Sequence, residues 1–507
     1  MEAKEETVND KDPLLIPATA SHKHGCCGSG PCDGHQCHHH SGRSLLLLPA
    51  IILVVLICLE SSSLAGSGRR YPAPARAKKV AGGKCFPRDD ENLLIPVHGS
   101  GTNLVASYAE RRSSPRQIRT VAIVNRMEHV NYACTFCCGN GNADDAFQVS
   151  SATYDVHSDH FGFRYGTADI LCPVPKNCSD PSHVAIHKQY HPPAHHQPSN
   201  GPSTSPSTNP TKVALPQNAT FLPIRNNNRR DESHGPFRHQ FTICISVMYE
   251  YSNVLQLVQT LEMFKLLGAD HVAIYRSSCD EAARRVLEHY EAAGFVEVVP
   301  WPITERNLTV SRGWQPSDSP GDLHYFGQTA ALNDCVYRFM YQSRYVVMQD
   351  LDELIVPLQV DTWPELLPRL EQQHGTGVAS FEFENNVFRN TQCGRNAAQR
   401  PDEWAGVPGV DVLDHVWREP NDPHAFNNIK TIVNPRAVYR ATVHGVLWAE
   451  GASVRVDREL ARLYHVRGPY RRDVANEELV LDERLWHYAP RLVPAVTEVI
   501  KRILKSK

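Results

Sequence analysis

Beyond residue 240 the apolar positions fall into two alternating rhythms. FTICISVMY (241–249) is a nearly continuous apolar run, the pattern of a parallel strand buried on both faces. Val254, Leu257, Val258, Leu261 and Phe264 then recur at helical spacing, with Ser252 placed to cap the segment and Gly268 to end it. HVAIY (271–275) predicts the next strand, and a helix from about Asp280 to Ala293 follows, stopped by Gly294. FVEVVPW is a third strand, QTAALNDCVYRFMYQ (328–342) a third helix and YVVMQD (345–350) a fourth strand. This alternation predicts an open α/β sheet, and such sheets bind ligands beyond the carboxyl ends of their strands. The fourth strand runs into Asp350-Leu351-Asp352-Glu353 before apolar residues resume at Leu354. Like charges this close repel. Two readings stand: the carboxylates bind a divalent cation, or they form a solvated turn.

The preceding chain has other textures. Residues 85–180 carry short β-type runs (TVAIVNRM, FQVSSATYDV, GFRYGTADILC) between turn residues, which predicts a small all-β accessory module. Its Cys134, Cys137, Cys138, Cys172 and Cys178 suit either a disulfide cluster or a zinc site. Residues 181–235 read as a low-complexity linker or insertion, and 236–507 as the α/β domain. Residues 1–44 are polar and predict a disordered cytosolic tail; its clustered Cys and His match no ordinary zinc finger, and palmitoylation is the alternative. The apolar run LLLLPAIILVVLICL, extended through small residues, predicts a transmembrane signal anchor at 45–65 and a stem at 66–84. A cleaved signal peptide is the weaker reading, because 44 residues is far too long for its n-region.

The 507 residues allow two or three domains, and a net charge of −3 gives no bias toward nucleic acid. Orientation signals conflict. Arg69, Arg70, Arg76, Lys78 and Lys79 follow the span, while only Arg43 sits close before it, which favours a cytosolic C-terminus. Glycosylation triplets at Asn177, Asn218 and Asn307, with ten of the fifteen cysteines beyond the span, favour an oxidising lumen. The lumenal disposition is the reading taken.

Three stretches carry a resemblance: ISVMYEYSNVLQLVQTLEMFKLLGADHVAIYRSS, GQTAALNDCVYRFMYQSRYVVMQDLDELIVP and RLYHVRG. They resemble glycosyltransferase family 92 over roughly 240–470, and the β module does so more weakly. The resemblance implies a GT-A fold, an open mixed and Rossmann-like sheet, on a type II protein of the Golgi membrane with its catalytic domain in the lumen. It implies inverting transfer of a sugar, often galactose from UDP-galactose, to a glycan acceptor, either a polysaccharide or a glycoprotein glycan. By the same pattern Asp350 and Asp352 engage Mn²⁺ and the donor, His465 joins the metal with His444 as competitor, and Glu353 supports them. The chemistry agrees, since a UDP leaving group gathers negative charge that a hard divalent ion offsets.

Lys430 is placed either at the diphosphate or as a surface lysine beside a strand. Glu250, in YEY where relatives often show Asn-Glu, is expected on the pyrimidine side of the donor. Ser278 and Asp280 line the nucleotide pocket or simply cap a helix. An inverting enzyme also needs a general base. Spacing does not choose among Glu382, Glu384, Asp402, Glu403, Asp411, Asp414, Glu419 and Asp422. Two rival classes are a non-catalytic carbohydrate-binding protein, which predicts a decayed motif, and a hydrolase, which two carboxylates this close disfavour.

Overall fold

The computed structural model describes residues 93–138, 147–189, 220–226, 237–394, 401–424 and 426–504. The expected tail, span and stem, and Asn218, lie outside the described residues. Among the described residues no helix is long and apolar enough to cross a membrane.

The first part is a nine-stranded sheet. Its strands are β1 (Ile95–Val97), β2 (Thr102–Glu110), β3 (Gln117–Asn125), β4 (Tyr132–Cys138), β5 (Phe147–Ser151), β6 (Thr153–Val156), β7 (Tyr165–Pro173), β8 (Pro181–Lys188) and β9 (Leu222–Arg225). They run β5-β4-β8-β9-β2-β3-β7-β6, with β1 beside β2, and only β9 lies parallel to its neighbour β2. Within 181–235, expected to be a linker or insertion, Pro181–Lys188 and Leu222–Arg225 are thus strands of this sheet. Cys134–Cys172 and Cys138–Cys178 are disulfides, and Cys137 is disulfide-bonded too.

Strand alternation gives this sheet two buried faces. On β3, Ile118, Ala122 and Val124 enter the module's own core, while Val121 and Ile123 join a second core with Ala330, Ala331 and Cys335 of the α/β domain. The β module is therefore packed onto the α/β domain through a shared apolar layer.

The α/β domain follows the expected order: β10 (His239–Met248), α1 (Val254–Leu267), β11 (His271–Arg276), α2 (Glu281–Ala292), β12 (Val296–Pro300), α3 (Gln328–Phe339) and β13 (Ser343–Met348). Asn253, rather than Ser252, precedes α1, and its Oδ1 accepts from Val410 N at 2.8 Å instead of capping the helix. Gly268 ends α1 at φ +97, where a Cβ would also stand 2.6 Å from Pro364. A buried disulfide, Cys244–Cys335, ties β10 to α3.

The chain then adds β14 (Glu353–Pro357), α4 (Trp363–His374), β15 (Val378–Phe383), β16 (Asn385–Arg389), β17 (Trp417–Arg418), β18 (Lys430–Val433), β19 (Val438–Thr442), β20 (Gly445–Ala449), β21 (Ala452–Arg455), β22 (Ala461–Arg467), β23 (Val480–Leu481) and α5 (Ala489–Leu504). One mixed sheet runs β12-β11-β10-β13-β18-β15-β21, parallel from β12 to β13, with β18 antiparallel. A second runs β14-β22-β16-β17-β23. This open mixed α/β arrangement fits a GT-A-like domain.

One buried acid joins the two parts. Asp334 of α3 is fully buried; its Oδ1 accepts from Tyr108 of β2 at 2.6 Å and its Oδ2 from Tyr275 of β11 at 2.5 Å, with Arg338 at 3.1 Å. Replacing Asp334 with Ala takes the carboxylate from both phenols and leaves the buried Arg338 guanidinium with Glu297 at 3.2 Å, and is expected to cost about 3–5 kcal/mol. Tyr108→Phe, which removes one donor, is expected to cost about 1 kcal/mol. Denaturant midpoints of the two variants against wild type check this ranking.

Candidate active site

The end of β13 is where the chain changes sheets, and side-chain alternation decides what happens there. Leu351 turns inward, buried, and its carbonyl accepts from Thr260 Oγ1 of α1 at 2.8 Å. Asp350 and Asp352, one position to either side, therefore face outward together, with 40% and 43% of their side chains exposed. Glu353 turns inward again and is 2% exposed. The turn is closed by Glu353 itself: Asp350 N donates to its Oε2 at 3.0 Å, and its own N donates to Asp350 O at 3.3 Å.

Two distant strands bring basic groups to this turn. Lys430 opens β18, only 3% of its side chain is exposed, and its Nζ lies 2.7 Å from Asp350 Oδ2 and 3.5 Å from Glu353 Oε2. The reading of Lys430 as a surface lysine is overturned: β18 pairs with β13, which carries the side chain inward. His465 of β22 stands in register with Glu353. Its Nε2 is 3.3 Å from Asp352 Oδ2 and its Nδ1 is 3.4 Å from Glu353 Oε1.

The electrostatics follow from burial and these pairings. Although 43% of its side chain meets solvent, Asp352 is crowded by buried neighbours that work against its carboxylate, and His465 outweighs them and holds the pKa down to about 2. Burial likewise opposes the His465 imidazolium, and Asp352 and Glu353 reverse that and raise its pKa. Glu353 is the exception: burial pushes it up to about 7, with Lys430 opposing only in part. Lys430 stays charged because Asp350 and Glu353 outweigh its burial.

The donor set fits a divalent cation. Among the described residues no three His, Cys, Asp or Glu side chains converge closely enough to hold an ion unaided. Asp352 Oδ2 and, once its proton is displaced, His465 Nε2 would nevertheless offer two adjacent donors beside an open face. Hard cations of this class take one or two protein ligands and complete their shell with phosphate oxygens and water. Asp350, paired to Lys430, stands next to them.

The other expected residues fall into different roles. Glu250 has φ +44, its N donates to Ser278 Oγ at 2.8 Å, and its carboxylate pairs with Arg312 at 2.6 Å. Ser278 thus shapes the turn after β10. Asp280 caps α2, accepting from Ala283 N at 2.7 Å. His444 directs Nδ1 to Ile429 O at 3.2 Å and stacks on Trp314; burial, with Lys430 nearby, drops its pKa far below the usual range. Asn177 and Asn307 are exposed.

Several residues at this face escape sequence reasoning. Tyr325 and Phe326 hold φ of +34 and +55, strained values for non-glycine residues. Tyr249 stacks on Phe326 and donates from its hydroxyl to Tyr325 at 3.1 Å; burial chiefly, with Asp350 and Asp352 adding to it, raises the Tyr325 pKa. His324 is buried against Phe161 and Trp314, and burial drops it to about 3. Backbone strain has no sequence signature except in glycine, so these positions carried no signal.

The profile of glycosyltransferase family 92 matches residues 239–498, just over half of the chain. Three Caenorhabditis elegans proteins are similar. Glycosyltransferase family 92 protein F13G3.3 is 27% identical over 202 residues, 40% of this chain and 37% of that relative. Glycosyltransferase family 92 protein C33H5.2 is 24% identical over 136 residues, 26% of this chain and 25% of the relative. Glycosyltransferase family 92 protein ZK381.2 is 23% identical over 123 residues, 24% of each. The chain thus spans little more than a third of the first relative and about a quarter of the other two.

The raised Glu353 pKa has a testable sign. The folded carboxyl binds its proton more tightly than the unfolded one, whose ordinary value is 4.5. Its contribution to stability is therefore full below about 4.5 and is lost as pH rises through about 7. In chelator, the melting temperature of wild type is expected to fall more steeply across this window than that of Glu353→Gln, in parallel pH series.

Proposed function

Because the chain belongs to glycosyltransferase family 92, we propose that it is a glycosyltransferase that moves a hexose, galactose from UDP-galactose in the first instance, onto a glycan acceptor with inversion at the anomeric carbon. The observation that carries this is the outward pair Asp350 and Asp352 at the carboxyl end of β13, with His465 beside it. Open α/β sheets bind ligands at such ends. Asp352 and His465 would hold Mn²⁺, with Asp350 alongside, and a bound ion would offset negative charge on the departing diphosphate. Lys430 keeps Asp350 oriented and adds a fixed positive charge near the phosphates. Glu250 and Arg312 border the nucleotide side, and Tyr249, Tyr325 and Phe326 give the site an aromatic wall.

The reaction is direct displacement: the acceptor hydroxyl attacks the anomeric carbon as the bond to UDP breaks, so the two must be held in line. The proposed setting is the Golgi lumen, with a single type II anchor at 45–65. Support comes from the disulfides, which persist in oxidising compartments, and from exposed Asn177 and Asn307.

UDP release from a panel of nucleotide sugars tests the donor. Release is expected with Mn²⁺, to stop in EDTA, and to return better with Mn²⁺ than with Ca²⁺, whose larger shell suits the site less well. Asp352→Ala is expected to lower turnover roughly 10²–10³-fold and to abolish calorimetric Mn²⁺ binding in the presence of UDP. Asp350→Ala should be similarly damaging yet folded, since Glu353 still faces Lys430 at 3.5 Å. Full activity in both variants with no response to chelator would overturn this reading.

A further inference from the structure

Beside the His465 strand lies a second recess with a different chemistry. Its wall begins at Asn385, the first residue of β16, whose Nδ2 is 3.4 Å from His465 Nδ1. Asn385 is only 8% exposed, yet its Oδ1 has no hydrogen-bond partner. A buried amide oxygen without a partner is costly unless a ligand or water satisfies it. Asn427 fixes the Asn385 backbone from across the recess, accepting from its N at 2.7 Å and donating to its O at 3.1 Å. Asn421 and Asn428 add further amides, and Phe426 and Tyr470 add aromatic faces, Phe426 being well exposed.

Of the eight carboxylates that spacing could not separate, only Glu419 and Asp422 line this recess. Glu382 pairs with Arg455, Glu384 with Arg458 and Glu403 with Lys501, while Asp411 accepts from Gln259 against α1. Asp402 and Asp414 do not line it either. Glu419 is tied on both oxygens: its Oε1 accepts from Arg389 Nε at 2.8 Å and Tyr470 N at 3.0 Å, and its Oε2 from Arg471 N at 3.0 Å. It holds the far wall in place. Asp422 is half-buried, its Oδ1 accepts from His424 N at 2.9 Å, and its Oδ2 stays 3.8 Å from Arg471 Nη1, beyond hydrogen-bond range. One carboxylate oxygen is thus left to take a proton.

Resting on the transferase reading above, we infer that this recess receives the terminal neutral sugar of the acceptor and that Asp422 is the general base. Amides match sugar hydroxyls as both donors and acceptors, and aromatic faces cover the apolar face of a pyranose. The one guanidinium lining the recess, Arg471, is engaged by Asp473 at 2.8 Å, so nothing there selects an anionic sugar. In the transfer step the acceptor O–H proton passes to Asp422 while its oxygen forms the bond to the anomeric carbon. The bond from that carbon to the diphosphate oxygen breaks, and its electron pair leaves on UDP. Asp422, then a neutral acid, returns the proton to water.

The test uses the full chain, a UDP-sugar that wild type turns over, and an acceptor panel of neutral methyl glycosides, short neutral oligosaccharides and their uronic acid counterparts. Asp422→Asn is expected to lower kcat for transfer roughly 10²–10⁴-fold. UDP binding with Mn²⁺, read by calorimetry, should stay within about twofold of wild type, because the contacts of Asp422, His424 and Arg471, are not among the residues assigned to the donor. Phe426→Ala is expected to raise the acceptor KM about tenfold while leaving kcat close to wild type. Asp402→Asn, away from the recess, should be unchanged. If wild type transfers sugar and Asp422→Asn keeps its kcat, the base assignment falls and the transferase reading stands. Loss of UDP binding in Asp422→Asn, or a preference for uronic acid acceptors, also overturns the inference. A wild type that releases UDP from no donor removes the reading on which it rests.

Discussion

Glu353 is the buried carboxylate on which the site's geometry depends. It sits where the chain leaves one sheet and enters the next, and it faces β18 through Lys430 and β22 through His465. Its Oε2 also accepts the Asp350 N–H, which fixes the turn that presents both outward carboxylates. A buried acid is expensive unless charged partners and hydrogen bonds surround it, and here strands far apart in sequence supply them. The supporting groups are buried while the two carboxylates that meet solvent are not. Such an arrangement holds a binding constellation ready before any ligand arrives.

The crowding of Asp350, Asp352 and Glu353 therefore has an answer beyond the two that the sequence suggests. The fold brings its own cations to the turn. Lys430 neutralises Asp350, His465 stands against Asp352, and Glu353 takes up a proton more readily than an ordinary carboxyl. A solvated turn would need neither a buried lysine nor a buried histidine aimed at it. The turn is thus nearly neutral as it stands, and on the proposed reading a divalent ion arriving with a diphosphate would displace the His465 proton and free Asp352 Oδ2 beside it.

The strands and helices of the α/β domain were legible because each carries its own period, and the acidic turn because three carboxylates interrupt an apolar run. The partners of that turn were legible only in part. Lys430 and Asp350 are 80 residues apart, and His465 and Asp352 are 113 apart, so their pairing depends on which strands lie side by side. Family resemblance could nominate His465, but whether Lys430 is buried follows only from the β13–β18 pairing. The turn before α3 was illegible for another reason. His324, Tyr325 and Phe326 read as an ordinary polar-aromatic stretch, and their significance lies in backbone angles that composition does not encode. Asp280 shows the reverse case, since the plain capping role is the one its hydrogen bond supports.

The β module bears directly on that strained turn. Tyr165 of β7 donates its N–H to Asp322 O at 2.8 Å, and the same strand makes a parallel bridge to Leu323. Trp301 Nε1 donates to Phe326 O at 2.8 Å, and a Cβ at Gly327 would come within 3.3 Å of Ile123 of β3. Positive φ at Tyr325 and Phe326 persists only where surrounding contacts over-determine it. Here those contacts come from both parts of the chain: Trp301 and α3 from one side, β3 and β7 from the other. Asp334, on the helix that begins at this turn, is bonded to Tyr108 of the module. A module that merely tethered or recruited would have no reason to share a core with α3 or to brace the loop beside the carboxylates. Its packing makes it part of the scaffold that shapes the aromatic wall of the site. Trp301 and α3 on one side and β3 and β7 on the other thus together hold the backbone that carries Tyr325 and Phe326.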